Sequence, residues 1–141
     1  MQMEIGIFTM QIGLALVSGL LMGLEREYKG KSAGLKTQGL VALGACTFVS
    51  LSMNYAGEEY VDMTRVLSQV VIGIGFLGGG VILQKGNKIK GLTTAATVWC
   101  AAAAGCLAGT QMYAELVVLT AFVVVVNLVF GWIDSKVGEV G

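Results

Sequence analysis

The chain of 141 residues contains no histidine and no proline, and it carries little charge. Charged residues make up 13% of it, about half the share of roughly 25% that is usual in globular proteins. Nine basic and nine acidic residues give a net charge of zero, which excludes the basic face of a nucleic-acid-binding protein. The sequence also lacks a nucleophile elbow and a dinucleotide-binding motif, and we expect that the protein is not an enzyme.

Only three cysteines are present, and all of them lie in apolar stretches. An odd number of thiols within lipid or helix contacts forms no disulfide framework. Cys46, Cys100 and Cys106 are therefore expected to be small packing residues.

Apolar residues, in contrast, make up 55% of the chain and raise its mean hydropathy to +0.78. They form five runs of 18 to 23 residues without a charge. A helix rises ~1.5 Å per residue, so that about 20 residues cross the ~30 Å hydrocarbon core of a bilayer. We therefore predict an all-α, polytopic bundle of about five transmembrane helices in a single domain, residues 1–141. The runs cover residues 5–24, 39–57, 66–84, 92–114 and 116–133.

Two features of these runs need comment. The fourth and fifth runs are separated only by residues 111–115, which leaves open whether they form two helices or one continuous helix. The first run is not expected to be a cleavable signal peptide, because residues 1–4 contain no lysine or arginine.

The basic residues predict the orientation in the membrane. Eight of the nine lie in three segments, 25–38, 85–91 and the tail after residue 133, and five spans place all three segments on one side. Only Arg65 lies on the other side. Because lysine and arginine are enriched in cytoplasmic loops, the N-terminus is predicted to lie outside the cell and the C-terminus inside.

Glycine is frequent, with 21 residues, and three pairs are spaced by four residues. Such a spacing lets a second helix approach closely in lipid, and it favours a packing role. The pairs are Gly19 with Gly23, Gly75 with Gly79, and Gly105 with Gly109.

The third run concentrates glycine in the sequence GIGFLGGGVIL. Because glycine disfavours a helix by about 1 kcal/mol relative to alanine, this run is interpreted in two ways. It is either a broken helix whose backbone groups ligate an ion or a straight, closely packed helix. The residues concerned are Gly73, Gly75, Gly78, Gly79 and Gly80.

Charged residues at the ends of the runs are candidates for a cation site. Glu25 and Glu27 flank Arg26, and two carboxylates beside a guanidinium can hold a divalent cation through their oxygens. The alternative is a solvated helix end, since long charged side chains reach the interface easily.

Two further candidates lie elsewhere. Asp62 could donate oxygen ligands or cap the third helix, with Arg65 as an organising charge beside it. Asn127 lies within VVVVNLVFGW and is expected to face the bundle or a second subunit rather than lipid.

A separate segment is a candidate for binding an anion or a lipid headgroup. Lys88 and Lys90 precede Thr93 and Thr94, which open the fourth helix. A threonine can cap the helix, and a positive helix end beside lysines suits an anion.

Three motifs in order carry a resemblance to a known family. They are GLLMGLEREYKGKSAGLKTQGLVALGA at 19–45, DMTRVLSQVVIGIGFLGGGVIL at 62–83 and IKGLTTAATVW at 89–99. Together they closely resemble the transmembrane domain of the MgtC/SapB family of bacterial membrane proteins. Lys36 and Gln38 stand where many relatives have Arg and His. The chain resembles a short form, expected to lack the soluble C-terminal domain of longer members.

The resemblance implies an inner-membrane protein linked to magnesium homeostasis, to survival in acid or low magnesium and, in pathogens, to virulence. The first hypothesis is therefore a protein of cation homeostasis that transports or binds Mg²⁺. The alternative is a non-conducting regulatory protein that binds other membrane proteins, for which the family suggests ATP synthase. In both cases a homo-oligomer is expected, most simply a dimer, because small residues suit an interface between subunits.

Overall fold

Each of the five apolar runs forms a helix, and the prediction of an all-α bundle is confirmed. The structure is a computed structural model that describes residues 4–86 and 88–137, except for the side chains of Lys85, Asp134, Ser135 and Val137. The elements in chain order are α1 (Ile5–Tyr28), α2 (Leu35–Met53), α3 (Thr64–Val81), β1 (Leu83–Lys85), β2 (Lys88–Lys90), α4 (Leu92–Gly109) and α5 (Tyr113–Val137).

Helices α4 and α5 are separate, which answers the question left open at residues 111–115. Helix α4 ends at Gly109, and the backbone turns at Gln111, whose φ is +62°. The amide of Met112 then donates to the carbonyl of Leu107 at 2.9 Å and closes the turn. Two helices with a short connection are therefore antiparallel neighbours.

Within the described part of the chain, four helices are long and apolar enough to cross a membrane: α1, α3, α4 and residues 113–133 of α5. Helix α2 does not reach this apolarity, because Lys36 and Gln38 lie in its first turn. Its position explains how it is accommodated, since α2 packs against both α1 and α4. The chain is thus a polytopic membrane bundle in which the least apolar helix packs between two of its neighbours.

Glycine allows α1, α2 and α4 to approach closely. A Cβ atom at Gly23 would lie 2.9 Å from the backbone of Gly34, the residue before α2, and one at Gly109 would lie 2.9 Å from the Cys46 carbonyl oxygen. Gly19 and Gly105 meet the α2 backbone in the same way. The packing role predicted for these two glycine pairs is confirmed, and alanines such as Ala15, Ala42 and Ala101 fill the core between them.

Helix α3 is continuous through its glycines, so the interpretation as a broken helix is wrong. It runs unbroken from Thr64 to Val81. Only Gly78 contacts a neighbour, at 3.7 Å from the Ala95 Cβ atom, whereas Gly73, Gly75, Gly79 and Gly80 face open space. The other interpretation was a straight, closely packed helix. Among the five glycines of α3, close packing within this chain is found only at Gly78.

A β-hairpin that the sequence did not predict connects α3 to α4. Strands β1 and β2 pair antiparallel, with Lys85 opposite Lys88. The chain then enters α4 through Gly91, whose φ is +92° and whose Cβ position would overlap the Val81 carbonyl. Only glycine combines this backbone angle with such a close approach.

Candidate functional site: a buried charge cluster

The C-terminal end of α1 carries two charged side chains that lie inside the bundle. Glu25 is 7% exposed and Arg26 is 2% exposed. The apolar run ends at Leu24, but α1 continues to Tyr28 and directs both side chains toward neighbouring elements. Because burial of a charge is costly, both groups require partners.

Glu25 is surrounded by cations. Its Oε1 atom lies 3.0 Å from Lys29 Nζ, one helical turn further on, and 3.5 Å from Lys31 Nζ in the loop after α1. Its Oε2 atom lies 3.6 Å from Arg26 Nε. One carboxylate thus faces three positive charges, and the four side chains, which we name the charge cluster, carry a formal charge of +2.

Arg26 joins three helices. Its Nη2 atom donates to Thr97 Oγ1 on α4 at 3.4 Å and to Asn127 Oδ1 on α5 at 3.5 Å. The expectation that Asn127 faces the bundle is confirmed, since it is buried. Both acceptors are neutral and distant, and among the described atoms Arg26 Nε and Asn127 Nδ2 have no hydrogen-bond partner.

Gly131 on α5 makes room for this arrangement, and the sequence analysis missed it. A Cβ atom at this position would overlap Lys29 Nζ and would lie 2.8 Å from Glu25 Oε1. The signal that could have revealed it is a glycine four residues after Asn127 in a helix otherwise rich in valine. Gly131 therefore lets the ion pair of Glu25 and Lys29 lie directly against α5.

The structure keeps the predicted cation ligands apart. Glu27 is exposed, and its Oε2 atom accepts a hydrogen bond from the Leu35 amide at 3.1 Å, at the start of α2. Nowhere in residues 4–86 and 88–137 do three acidic or thiol side chains gather at one point. Glu25 already faces three cations, so the donor set of the charge cluster does not fit Mg²⁺, which prefers an excess of anionic oxygens.

Asp62 serves the start of α3 instead. Its Oδ1 atom accepts hydrogen bonds from the Thr64 hydroxyl at 2.6 Å and from the Thr64 amide at 2.9 Å. These two bonds, the hydroxyl first, lower the pKa of Asp62 from its ordinary value, and the positive charge of Arg65 adds to the effect. These contacts place Asp62 at the N-terminus of α3, where it stabilises the start of the helix. This was the alternative to a role as a cation ligand.

The segment proposed to bind anions adopts a different local structure from the one expected. Helix α4 is capped by Gly91 without a side-chain hydrogen bond, so the prediction that a threonine caps it is wrong. Thr94 is buried and Thr93 is exposed, and the Thr93 carbonyl accepts a hydrogen bond from Thr97 Oγ1 at 2.9 Å. Lys88 and Lys90 are exposed on β2.

A wide groove separates α2 from α3. It has a volume of about 980 Å³, and its walls are apolar. Lys36 lies at one end and Arg65 at the other, and Arg65, Gln69 and Gly73 line it together, as their shared helix face predicts. The remaining lining residues include Leu40, Gly44, Ala45, Phe48 and Leu51 from α2, and Val66, Val70, Ile74 and Leu77 from α3.

Comparison with known proteins identifies the family. The model of the MgtC family matches residues 12–136. The chain is 46% identical over 113 residues to "Protein MgtC" of Brucella abortus, a match that covers 80% of this chain and 47% of the relative. It is 37% identical over 125 residues to "Protein MgtC" of Salmonella typhimurium, covering 89% of this chain and 53% of the relative.

A third relative is an uncharacterised protein of Synechocystis, 44% identical over 119 residues, which are 84% of this chain and 50% of that protein. The chain thus spans about half the length of the curated relatives that it matches. No solved structure matches it. The family resemblance read from the three motifs is confirmed, and the chain belongs to the MgtC family.

Proposed function

We propose that this chain is a non-conducting regulatory protein of the bacterial inner membrane, which acts in magnesium homeostasis by binding another integral membrane protein. The observation that carries the proposal is the open groove between α2 and α3. The lysine-bearing segments 25–38 and 85–91 lie on the cytoplasmic side in this proposal, following the charge asymmetry of the sequence.

The chemistry of the groove favours a hydrophobic helix as its occupant. Most of both walls is apolar, so a polar segment or an ion would lose its hydration shell there with little compensation. Small residues occur on both walls, Gly44 and Ala45 on α2 and Gly73 on α3. In lipid, helices associate where small residues let their backbones approach.

Helix α3 is open to a partner over most of its length. Ile74 and Gly78 are its buried residues, and Phe76 is 85% exposed. Its main contacts within the chain are with α4, and it touches α2 much less. The groove is therefore not filled by the chain's own side chains.

The carboxylates support regulation rather than conduction of Mg²⁺. Glu25 is held by Lys29, Lys31 and Arg26, and Glu27 accepts a hydrogen bond from the backbone of α2. A cation that entered the charge cluster would meet three positive charges for one negative charge, at distances where they repel it strongly.

A flux measurement tests the non-conducting part of the proposal. Purified protein in liposomes that enclose a magnesium-sensitive dye should admit Mg²⁺ at the rate of protein-free liposomes, while an added divalent-cation ionophore gives a full signal. Magnesium entry above the protein-free rate would contradict the proposal and restore direct transport.

Photo-crosslinking in the native membrane tests the groove. A benzoylphenylalanine in place of Phe48, which lines the groove, should crosslink to one other membrane protein. The same replacement of Phe130, which is similarly exposed on α5 but outside the groove, should not. Crosslinks between two copies of the chain would instead support the expected dimer as the occupant, and crosslinks to lipid alone would contradict a protein partner.

A pair of glycine substitutions tests the same groove by filling it. Gly73 and Gly75 both face open space on α3, and only Gly73 lines the groove. Gly73→Phe should therefore abolish the crosslink from α2 and the growth of complemented cells in low magnesium, whereas Gly75→Phe should preserve both. Equal effects of the two substitutions would show that the groove is not the binding surface.

A further inference from the structure

We infer that the charge cluster binds a phosphate group, supplied either by the headgroup of an anionic phospholipid or by a free phosphate anion. This site differs from the hairpin lysines, and it does not depend on the proposed regulatory function. Three observations support it: the charge balance, the unpaired donors and the access from one side.

The charge balance calls for an anion. Glu25 neutralises one of the three cations around it and leaves a formal charge of +2. Arg26 is 2% exposed, so water does not compensate this charge at the guanidinium. Lys29 and Lys31 both share the single Oε1 atom of Glu25, and Oε2 faces Arg26 Nε.

At the charge cluster and its contact with α5, two of the three polar atoms without a hydrogen-bond partner are donors. Arg26 Nε and Asn127 Nδ2 are buried and have no hydrogen-bond partner among the described atoms. Glu25 Oε2 is the unpaired acceptor, and it lies 3.6 Å from Arg26 Nε. A guanidinium whose Nε–H makes only a long ion-pair contact, with lysines on the same carboxylate, matches the oxygens of a phosphate, which accepts several charge-assisted hydrogen bonds at once.

Access to the cluster is open at the lysines. The side chains of Lys29 and Lys31 are 32% and 36% exposed, whereas that of Glu25 is 5% exposed. The lysines thus form the exposed side of the charge cluster, and Arg26 forms its buried side. In the predicted orientation this exposed side lies at the inner face of the membrane, at the depth of phospholipid headgroups.

Native mass spectrometry of the detergent-solubilised protein tests the lipid source. The protein should retain phosphatidylglycerol over phosphatidylcholine. Lys29→Gln with Lys31→Gln should weaken this retention by about fivefold for each lysine removed. The charge-preserving pair Lys29→Arg with Lys31→Arg should keep it.

The hairpin supplies a matched control. Lys88→Gln with Lys90→Gln removes the same charge from exposed positions in the other lysine-bearing segment. This pair should retain phosphatidylglycerol as the unmodified protein does. Equal losses in the two double variants would mean that retention reflects general surface charge, and the inference would be overturned.

Titration with inorganic phosphate tests the free-anion source. In lipid-free detergent, millimolar phosphate should raise the thermal unfolding midpoint more than the same ionic strength of chloride, if free phosphate binds. A rise with phosphate identifies a soluble anion, and selective retention of phosphatidylglycerol without such a rise identifies a headgroup. If the unmodified protein shows neither selective lipid retention nor a rise with phosphate, the site is refuted, whatever the variants do.

Discussion

Replacing Gly105 with valine should prevent α4 from docking on α2 and should be among the most destabilising single changes in the chain. A Cβ atom at Gly105 would overlap the Ala42 carbonyl and would lie 2.9 Å from the Ala45 Cβ atom. The obstruction includes backbone, which cannot rotate away as a side chain can. Overpacking of this kind costs about 3 kcal/mol or more, because the two helices must separate. The loss should appear as a lower unfolding midpoint in denaturant titrations of the protein in mild detergent.

Gly79→Val provides the control for this prediction. It introduces the same β-branched residue into a helix, at a glycine that has no atom within 4 Å of its Cβ position. Its effect should be limited to helix propensity, which favours valine over glycine, and its stability should stay within about 1 kcal/mol of the unmodified protein. If the two valine variants unfolded at the same denaturant concentration, the close contact of α4 with α2 would not exist in the folded protein.

Glu25→Gln should be the most damaging change in the charge cluster. The substitution keeps the shape of the side chain but leaves Arg26, Lys29 and Lys31 without their shared anion. Removal of one partner of a buried ion pair costs about 3–5 kcal/mol, and the partial exposure of the two lysines favours the lower end of this range. Thermal unfolding in detergent, followed by circular dichroism, measures the effect.

Glu27→Gln is the matched comparison, two residues along the same helix. Glu27 is exposed, and the glutamine amide oxygen can still accept the hydrogen bond of the Leu35 amide. We expect a loss below about 1 kcal/mol. If Glu27→Gln lowered the unfolding stability more than Glu25→Gln, the exposed carboxylate would be the one that stabilises the fold. That result would contradict the charge cluster.

Much of the fold follows from hydropathy and glycine spacing in the sequence. Charge-free runs of membrane-spanning length predict helices, because lipid satisfies no backbone hydrogen bonds. The pairs Gly19 with Gly23 and Gly105 with Gly109 predict close packing, since the backbone itself forms the contact. Asn127 was predictable in the same way, because an amide in an apolar run is costly against lipid.

The remaining features depend on tertiary contacts that no local pattern contains. The i,i+4 spacing of Glu25 and Lys29 suggests an ion pair, but Lys31 reaches the same carboxylate only because the loop folds back. Arg26 meets Asn127 across 101 positions of sequence. The glycines of α3 suggest a break by propensity alone, yet helical hydrogen bonds hold them, because no other partner for the backbone is present in lipid.

The enclosure of α2 between α1 and α4 has a consequence for how the chain is made. Helix α2 emerges from the ribosome before α3, the hairpin and α4, so its Gly39 to Ser50 surface meets the translocon without its α4 partner. The contact of α2 with α1 must therefore hold this marginally apolar helix in the bilayer until α4 has been synthesised. Helix α4 then inserts after α3 and packs against α2. Helix α4 thus completes the stable insertion of α2, and truncation of the nascent chain before α4 should release α2 from the lipid.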